Sequence, residues 1–175
     1  GSLGEAALVR AAQRGSEQAV AELFDRHWSA VHRAALLVTG DRAAAEDIAQ
    51  EAFLAALRAL PSFDLRRPLR PWLHRIAVNR AIDWSRARAL RREVGADGAG
   101  EQAAQPAQDG PPLGCDVMAA MMTLGPEQRA VVVLRYVLDL TPGEIGDMLE
   151  LPRGTVNSRL RRGLDALGDL LEAPR

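Results

Sequence analysis

The chain has 175 residues, 47% hydrophobic and only 4% aromatic, with 22 basic and 23 acidic residues and a formal net charge of −1. That content excludes disorder along the whole length, and abundant Ala and Leu with few strand-favouring residues predict helix nearly throughout. The single cysteine, Cys115, excludes an intramolecular disulfide and a cysteine-based zinc site, and no apolar run approaches the roughly 20 residues of a membrane span.

Taken in chain order, apolar residues recur at helical spacing from Glu5 to Thr39 (Leu8, Ala11, Ala12, then Val20, Leu23, Phe24, Val31, Ala35, Val38), and Gly15-Ser16 divides them into two helices. Gly1-Ser2 has the form of a tag-cleavage scar, and no basic-then-apolar signal pattern follows it, so a soluble cytoplasmic protein is expected. Gly40 ends the second helix and Asp41 caps a third, which runs to about Leu60. Residues 61–71 hold three prolines and form a loop; a fourth helix starts near Pro71 and carries WLHRIAVNRAIDWSRARALRRE. From Gly95 to Gly114 the chain is rich in Gly, Ala, Pro and Gln, with no aromatic or β-branched residue to bury, so a flexible linker is expected. Four further helices follow, at about 116–124, 126–138, 142–150 and 153–171, separated by Gly125-Pro126, Thr141-Pro142 and Leu151-Pro152. The expectation is an all-α chain of two small helical domains, 3–93 and 116–172, joined by an acidic linker at 94–115.

The near-zero charge is an average over sorted blocks. Every basic residue is Arg: residues 1–60 hold 6 Arg and 8 acids, 61–92 hold 9 and 2, 93–128 hold none and 6, and 129–175 hold 7 of each. A basic block of this kind points to an anionic partner for 61–92. Its arginines can engage successive phosphates, and Phe63, Trp72 and Trp84 beside them suit single-stranded DNA. Trp84 shares a helical face with Leu73, Ile76 and Ala77 and is read as core; Trp72 is left open between core and base stacking.

The segment TPGEIGDMLELPRGTVNSRLRRGLDAL reads as a helix-turn-helix. Thr141, Pro142 and Glu144 have capping-box spacing, and Ile145, Met148 and Leu149 form the buried face of the first helix. The second helix buries Val156, Leu160, Leu164 and Leu167, turning Asn157, Ser158, Arg161 and Arg162 outward. Such a helix enters the major groove, where Arg reads guanine and Asn reads adenine. An amphipathic pair with a solvated basic face is the plainer alternative.

Together AAAEDIAQEAFLAALRALPSF, RPWLHRIAVNRAIDWSRAR and LGPEQRAVVVLRYVLDLTPGEIGDMLELPRGTVNSRLRRGLDAL resemble the extracytoplasmic-function (ECF) sigma factor family over nearly the whole chain. The first two stretches resemble sigma region 2 and the third region 4. The resemblance implies a non-enzymatic subunit that binds bacterial core RNA polymerase, through its β′ clamp helices and β flap, and directs initiation at promoter DNA. It implies polymerase contacts at Asp47, Gln50, Glu51 and Leu54, which share one helical face. It implies a pocket for a flipped minus-10 base at Ala59, Phe63, Ile76 and Asn79, flanked by Arg75 and Arg80. Asn79 would supply base-edge hydrogen bonds, the alternative being a buried structural amide. It implies minus-35 recognition through Thr155, Asn157, Ser158, Arg161 and Arg162, with Arg153 and Arg159 nearer the backbone; Asn157 stands where many relatives carry Lys or Arg. A cognate anti-sigma factor is a further implied partner.

An ordinary helix-turn-helix regulator is the first rival, and the AEDIAQE stretch with its basic helix argues against it. An enzyme is the second. His27, His32 and His74 are the only histidines and lack metal-ligand spacing, no phosphate loop or nucleophile-base pair is present, and no metal or cofactor is expected. Cys115 is read as an incidental thiol, with a redox switch as the alternative.

Overall fold

The computed structural model describes residues 4–95 and 115–172. The expected linker, 94–115, lies outside the described residues except at its two ends. The helices are α1 (Glu5–Gln13), α2 (Glu17–Thr39), α3 (Arg42–Ala59), a 3-10 turn (Leu60–Ser62), α4 (Leu69–Glu93), α5 (Cys115–Thr123), α6 (Pro126–Tyr136), α7 (Pro142–Leu149) and α8 (Arg153–Glu172). There is no strand among the described residues, as the composition predicts.

The local signals act as their chemistry requires. The Ser16 hydroxyl accepts from Ala19 N–H at 3.3 Å, and the Asp41 carboxylate accepts from Ala44 N–H at 3.0 Å, each satisfying an orphan donor of a first turn. Gly40 closes α2 in the left-handed region, φ +67°. Thr141 and Glu144 complete a reciprocal capping box on α7: Thr141 N–H donates to Glu144 Oε2 at 2.7 Å and Glu144 N–H to Thr141 Oγ1 at 3.3 Å.

Three expectations need correction. α4 begins at Leu69, two residues before Pro71, because the first four N–H groups of a helix have no partner and a proline in that turn loses nothing. α6 stops at Tyr136, where Leu138 and Leu140 N–H fold back onto the carbonyls of Val133 and Leu134. Leu164 is 40% exposed; Gly163 takes its place in the seam, so close to α6 that an added Cβ would lie 3.1 Å from Val132 Cγ2.

Three apolar clusters order the molecule. α1 packs with α2, the turn after α3 and the start of α4 through Leu8, Val9, Leu23, Leu60 and Leu69. α2, α3 and α4 meet at Val31, Ala49, Ala52, Phe53, Leu73 and Ala77. The largest cluster joins both halves: Ala34 to Val38 of α2 and Val78, Ala81 and Ile82 of α4 pack with Val131 to Leu134 of α6, behind which lie Ile145, Val156 and Leu160. Trp84, expected as core, is half-buried against this cluster, with the Arg88 guanidinium 5.1 Å above its ring.

Candidate nucleic-acid and polymerase interfaces

α3 presents Asp47, Gln50, Glu51 and Leu54 outward on one face; Leu54 is 53% exposed. Ile48, Ala49, Ala52 and Phe53 anchor the opposite side of the same helix. Next to this face, Phe24, Phe53, Leu57 and Trp72 line an apolar pocket between α2, α3 and α4. Phe24 stacks on Trp28 at 4.8 Å and tilts against Phe53 at 4.7 Å. The stretch thus combines carboxylates with exposed apolar surface.

Of the residues expected at the minus-10 element, Ala59, Phe63, Ile76, Asn79, Arg75 and Arg80 are all half-buried. Phe63 leans on Trp72 at 4.7 Å, so the half-buried Trp72 packs against that loop. Trp72, Ile76 and Asn79 then follow one another along α4 at i, i+4, i+7. Sequence reasoning missed Gln13: its side-chain amide donates to the carbonyls of both Leu60 and Phe63 at 3.0 Å, so α1 fixes the loop that carries Phe63. Asp64 stiffens the same loop through Arg66; hydrogen bonds from the Arg66 side chain and backbone hold its carboxyl below the usual range.

Two arginines of this face are engaged within the chain. Arg80 donates to Glu51 at 3.1 Å, and Arg75 donates to Glu150 of α7 at 2.6 Å. Arg86, three turns beyond Arg75, donates to Glu127 of α6 at 2.5 Å. Burial alone would raise the Glu127 pKa; the Arg86 hydrogen bond and the charges of Arg86 and Arg159 outweigh it, and the net shift is downward.

On α8, Val156, Leu160 and Gly163 are buried while Asn157, Arg161 and Arg162 are exposed and Thr155, Ser158 and Arg159 half-buried. Ser158 Oγ donates to Thr155 O at 3.1 Å and accepts from Arg162 at 3.3 Å, which lays Arg162 along the helix face. Arg153 is exposed in the first turn of α8, and Arg159 is close enough to Glu127 to act on its charge, nearer α6 than the outward face.

Each histidine has a close neighbour within the chain. His74 is buried and donates Nδ1–H to Arg70 O at 2.7 Å, Glu5 lies 2.9 Å from the buried His27 Nε2, and His32 stacks on Trp28 at 6.0 Å. No group of three potential metal ligands and no helix long and apolar enough to cross a membrane occurs among the described residues. Cys115 opens α5.

The family model of Sigma-70 region 2 matches residues 23–91, and that of Sigma-70 region 4 matches 116–167. These matches fall within the two helical halves and define a sigma-70-type initiation factor, a class without catalysis of its own. The chain is 32% identical to the ECF RNA polymerase sigma factor SigW of Bacillus subtilis, over 91% of this chain and 92% of that protein. It resembles CnrH, solved in complex with the cytosolic domain of CnrY, with a TM-score of 0.72 and 28% identity over 98% and 99% of the two chains. It also resembles the sigma factor RpoE, solved with the anti-sigma factor NepR from Bartonella quintana, with a TM-score of 0.72 and 25% identity over 88% and 97%. The chain belongs to the ECF family of RNA polymerase sigma factors.

Proposed function

We propose that this sigma factor binds bacterial core RNA polymerase in the cytoplasm and directs initiation at a specific promoter class. Residues 3–93 engage the polymerase through Asp47, Gln50, Glu51 and Leu54. They read the minus-10 element as a melted strand through Ala59, Phe63, Arg75, Ile76, Asn79 and Arg80. Residues 116–172 engage the β flap and read the minus-35 element as duplex through Thr155, Asn157, Ser158, Arg161 and Arg162, with Arg153 and Arg159 nearer the backbone. The observation that carries this reading is the outward polar face of α8, with Asn157, Arg161 and Arg162 exposed opposite a seam of Val156, Leu160 and Gly163. Each DNA contact is weak by itself; joining them by 94–115 on the polymerase raises their effective concentration at the promoter. The complexes of CnrH and RpoE with their partners support control by a cognate anti-sigma factor.

Selection of active sites from a promoter library separates the two readers. Asn79→Ala relaxes the sequence requirement at minus-10 alone and Arg162→Ala at minus-35 alone, by about 1 to 3 kcal/mol of discrimination for each lost base contact. Equal relaxation at both elements by either variant contradicts the assignment.

A further inference from the structure

We propose that Gln13 is a positioning residue for minus-10 recognition: its side-chain amide holds the loop bearing Phe63 at a fixed place beside α4, so that one wall of the pocket for the melted base is set from α1. The proposal rests on the functional reading above and deepens it by naming a specificity determinant outside the reading face. α1 also lies outside the stretch 23–91 that the region 2 model matches.

Both N–H groups of the Gln13 amide are used. Nε2 donates to Leu60 O and to Phe63 O, each at 3.0 Å, across 47 and 50 residues of sequence. Those carbonyls bracket the 3-10 turn Leu60–Ser62, whose own closing bond runs from Phe63 N–H to Leu60 O at 3.0 Å. One planar amide therefore fixes both the start of the turn and the residue that leaves it, and Phe63 leaves it extended, at φ −68° and ψ 129°. Beyond Phe63, the Asp64 carboxylate accepts from Arg66 N–H at 3.0 Å and from the Arg66 guanidinium at 2.9 Å, and Asp64 O accepts from Arg67 N–H at 3.0 Å. Phe63 is thus held from both sides, with its ring 4.7 Å from that of Trp72, where the α4 face through Ile76 to Asn79 begins.

Gln13 itself stands on a rigid support. It is the last residue of α1, and the chain after it closes as a Schellman turn: Ser16 N–H donates to Ala11 O at 3.0 Å and Gly15 N–H to Ala12 O at 2.9 Å, with Gly15 at φ +90°. The same Ser16 caps α2. Leu8 and Val9, only 1% and 2% exposed, bury α1 against Leu23, Leu60 and Leu69, and Glu5 at its other end lies 2.9 Å from His27 Nε2. Apolar burial keeps α1 docked, whereas the amide orients two carbonyls. Removing the amide leaves the helix in place and lets the loop drift, and a recognition group displaced by about 1 Å loses much of its effect.

The test selects active promoters from a library with core polymerase and the full-length chain as wild type, Gln13→Met, Gln13→Lys and Asn79→Ala. Gln13→Met keeps the side-chain length and loses the donor; Gln13→Lys keeps donors for both carbonyls. The expected result for Gln13→Met is a roughly tenfold loss of preference for the best minus-10 sequence, the scale of two lost hydrogen bonds, with minus-35 preference and affinity for core polymerase unchanged. Gln13→Lys should recover most of that preference. Full minus-10 preference in Gln13→Met overturns the proposal. Equal loss at both elements, or a loss that Gln13→Lys does not recover, also overturns it and leaves Gln13 a general structural residue. Should Gln13→Met fail to fold, Gln13→Asn, one methylene too short to span both carbonyls, carries the same prediction. If the wild type shows no minus-10 preference, or Asn79→Ala leaves it intact, the functional reading has failed and the proposal falls with it; an Asn79→Ala effect beside a silent Gln13→Met refutes the proposal alone.

Discussion

Arg80 of α4 donates to Glu51 of α3 at 3.1 Å, tying a residue of the proposed DNA face to one of the proposed polymerase face. Both side chains are largely exposed, so the pair contributes little to stability. On the proposed reading, a polymerase cation that took Glu51 would free Arg80 for a phosphate. Glu51→Ala should leave the urea midpoint nearly unchanged and weaken binding to core polymerase by about 1 to 2 kcal/mol, roughly 5- to 30-fold, in a titration of labelled protein. A loss of stability without a loss of polymerase affinity would contradict this role.

Asp41 caps α3 and also accepts from Arg88 at 2.9 Å, with both side chains mostly buried. Asp41→Asn keeps the cap and loses the charge; Asp41→Ala loses both. Urea unfolding should place Asp41→Ala about 0.5 to 2 kcal/mol below Asp41→Asn, the ordinary worth of an N-cap.

At Gly163 an added Cβ would lie 3.1 Å from Val132 Cγ2, which must yield by a few tenths of an ångström. Gly163→Ala should be near neutral, because the gain in helix propensity of about 1 kcal/mol offsets the tight contact. Gly163→Leu should overpack the α6–α8 seam and cost about 1 to 3 kcal/mol. Leu164→Ala, on the exposed side, should cost less than the 2 to 5 kcal/mol or so typical of a buried leucine.

His74 is 1% exposed, and its burial holds the imidazole pKa below the ordinary value. The unfolded chain therefore takes up a proton near pH 6.5 that the folded chain refuses, so stability is full above about pH 6.5 and falls as pH drops toward the depressed folded value. Thermal midpoints measured across this range should fall on acidification, and His74→Gln should flatten that part of the slope.

What the sequence discloses and what it hides divides along contact range. The capping box at Thr141 and Glu144, the stop at Gly40 and the cap at Asp41 are local, and each is legible because its chemistry is completed within four residues. The matched stretches 23–91 and 116–167 were legible through their resemblance to a known family. Pairings between the halves were not: Arg75 and Glu150 are 75 residues apart, and nothing local in either segment names the other. Periodicity counted Leu164 as buried because it has no means of knowing that α8 approaches α6 closely enough to need Gly163 at the crossing. Gln13 was missed since its two acceptors are backbone carbonyls, which every residue has.

Run-off transcription with sigma-free bacterial core enzyme on a promoter library asks whether this chain confers promoter choice on polymerase. Discrete transcripts from sites sharing one minus-35 and minus-10 pair, dependent on the added protein, are expected. Transcription that is unchanged by the protein, with no binding to core enzyme, would contradict that expectation and leave α7 and α8 as the DNA-binding part of an ordinary regulator.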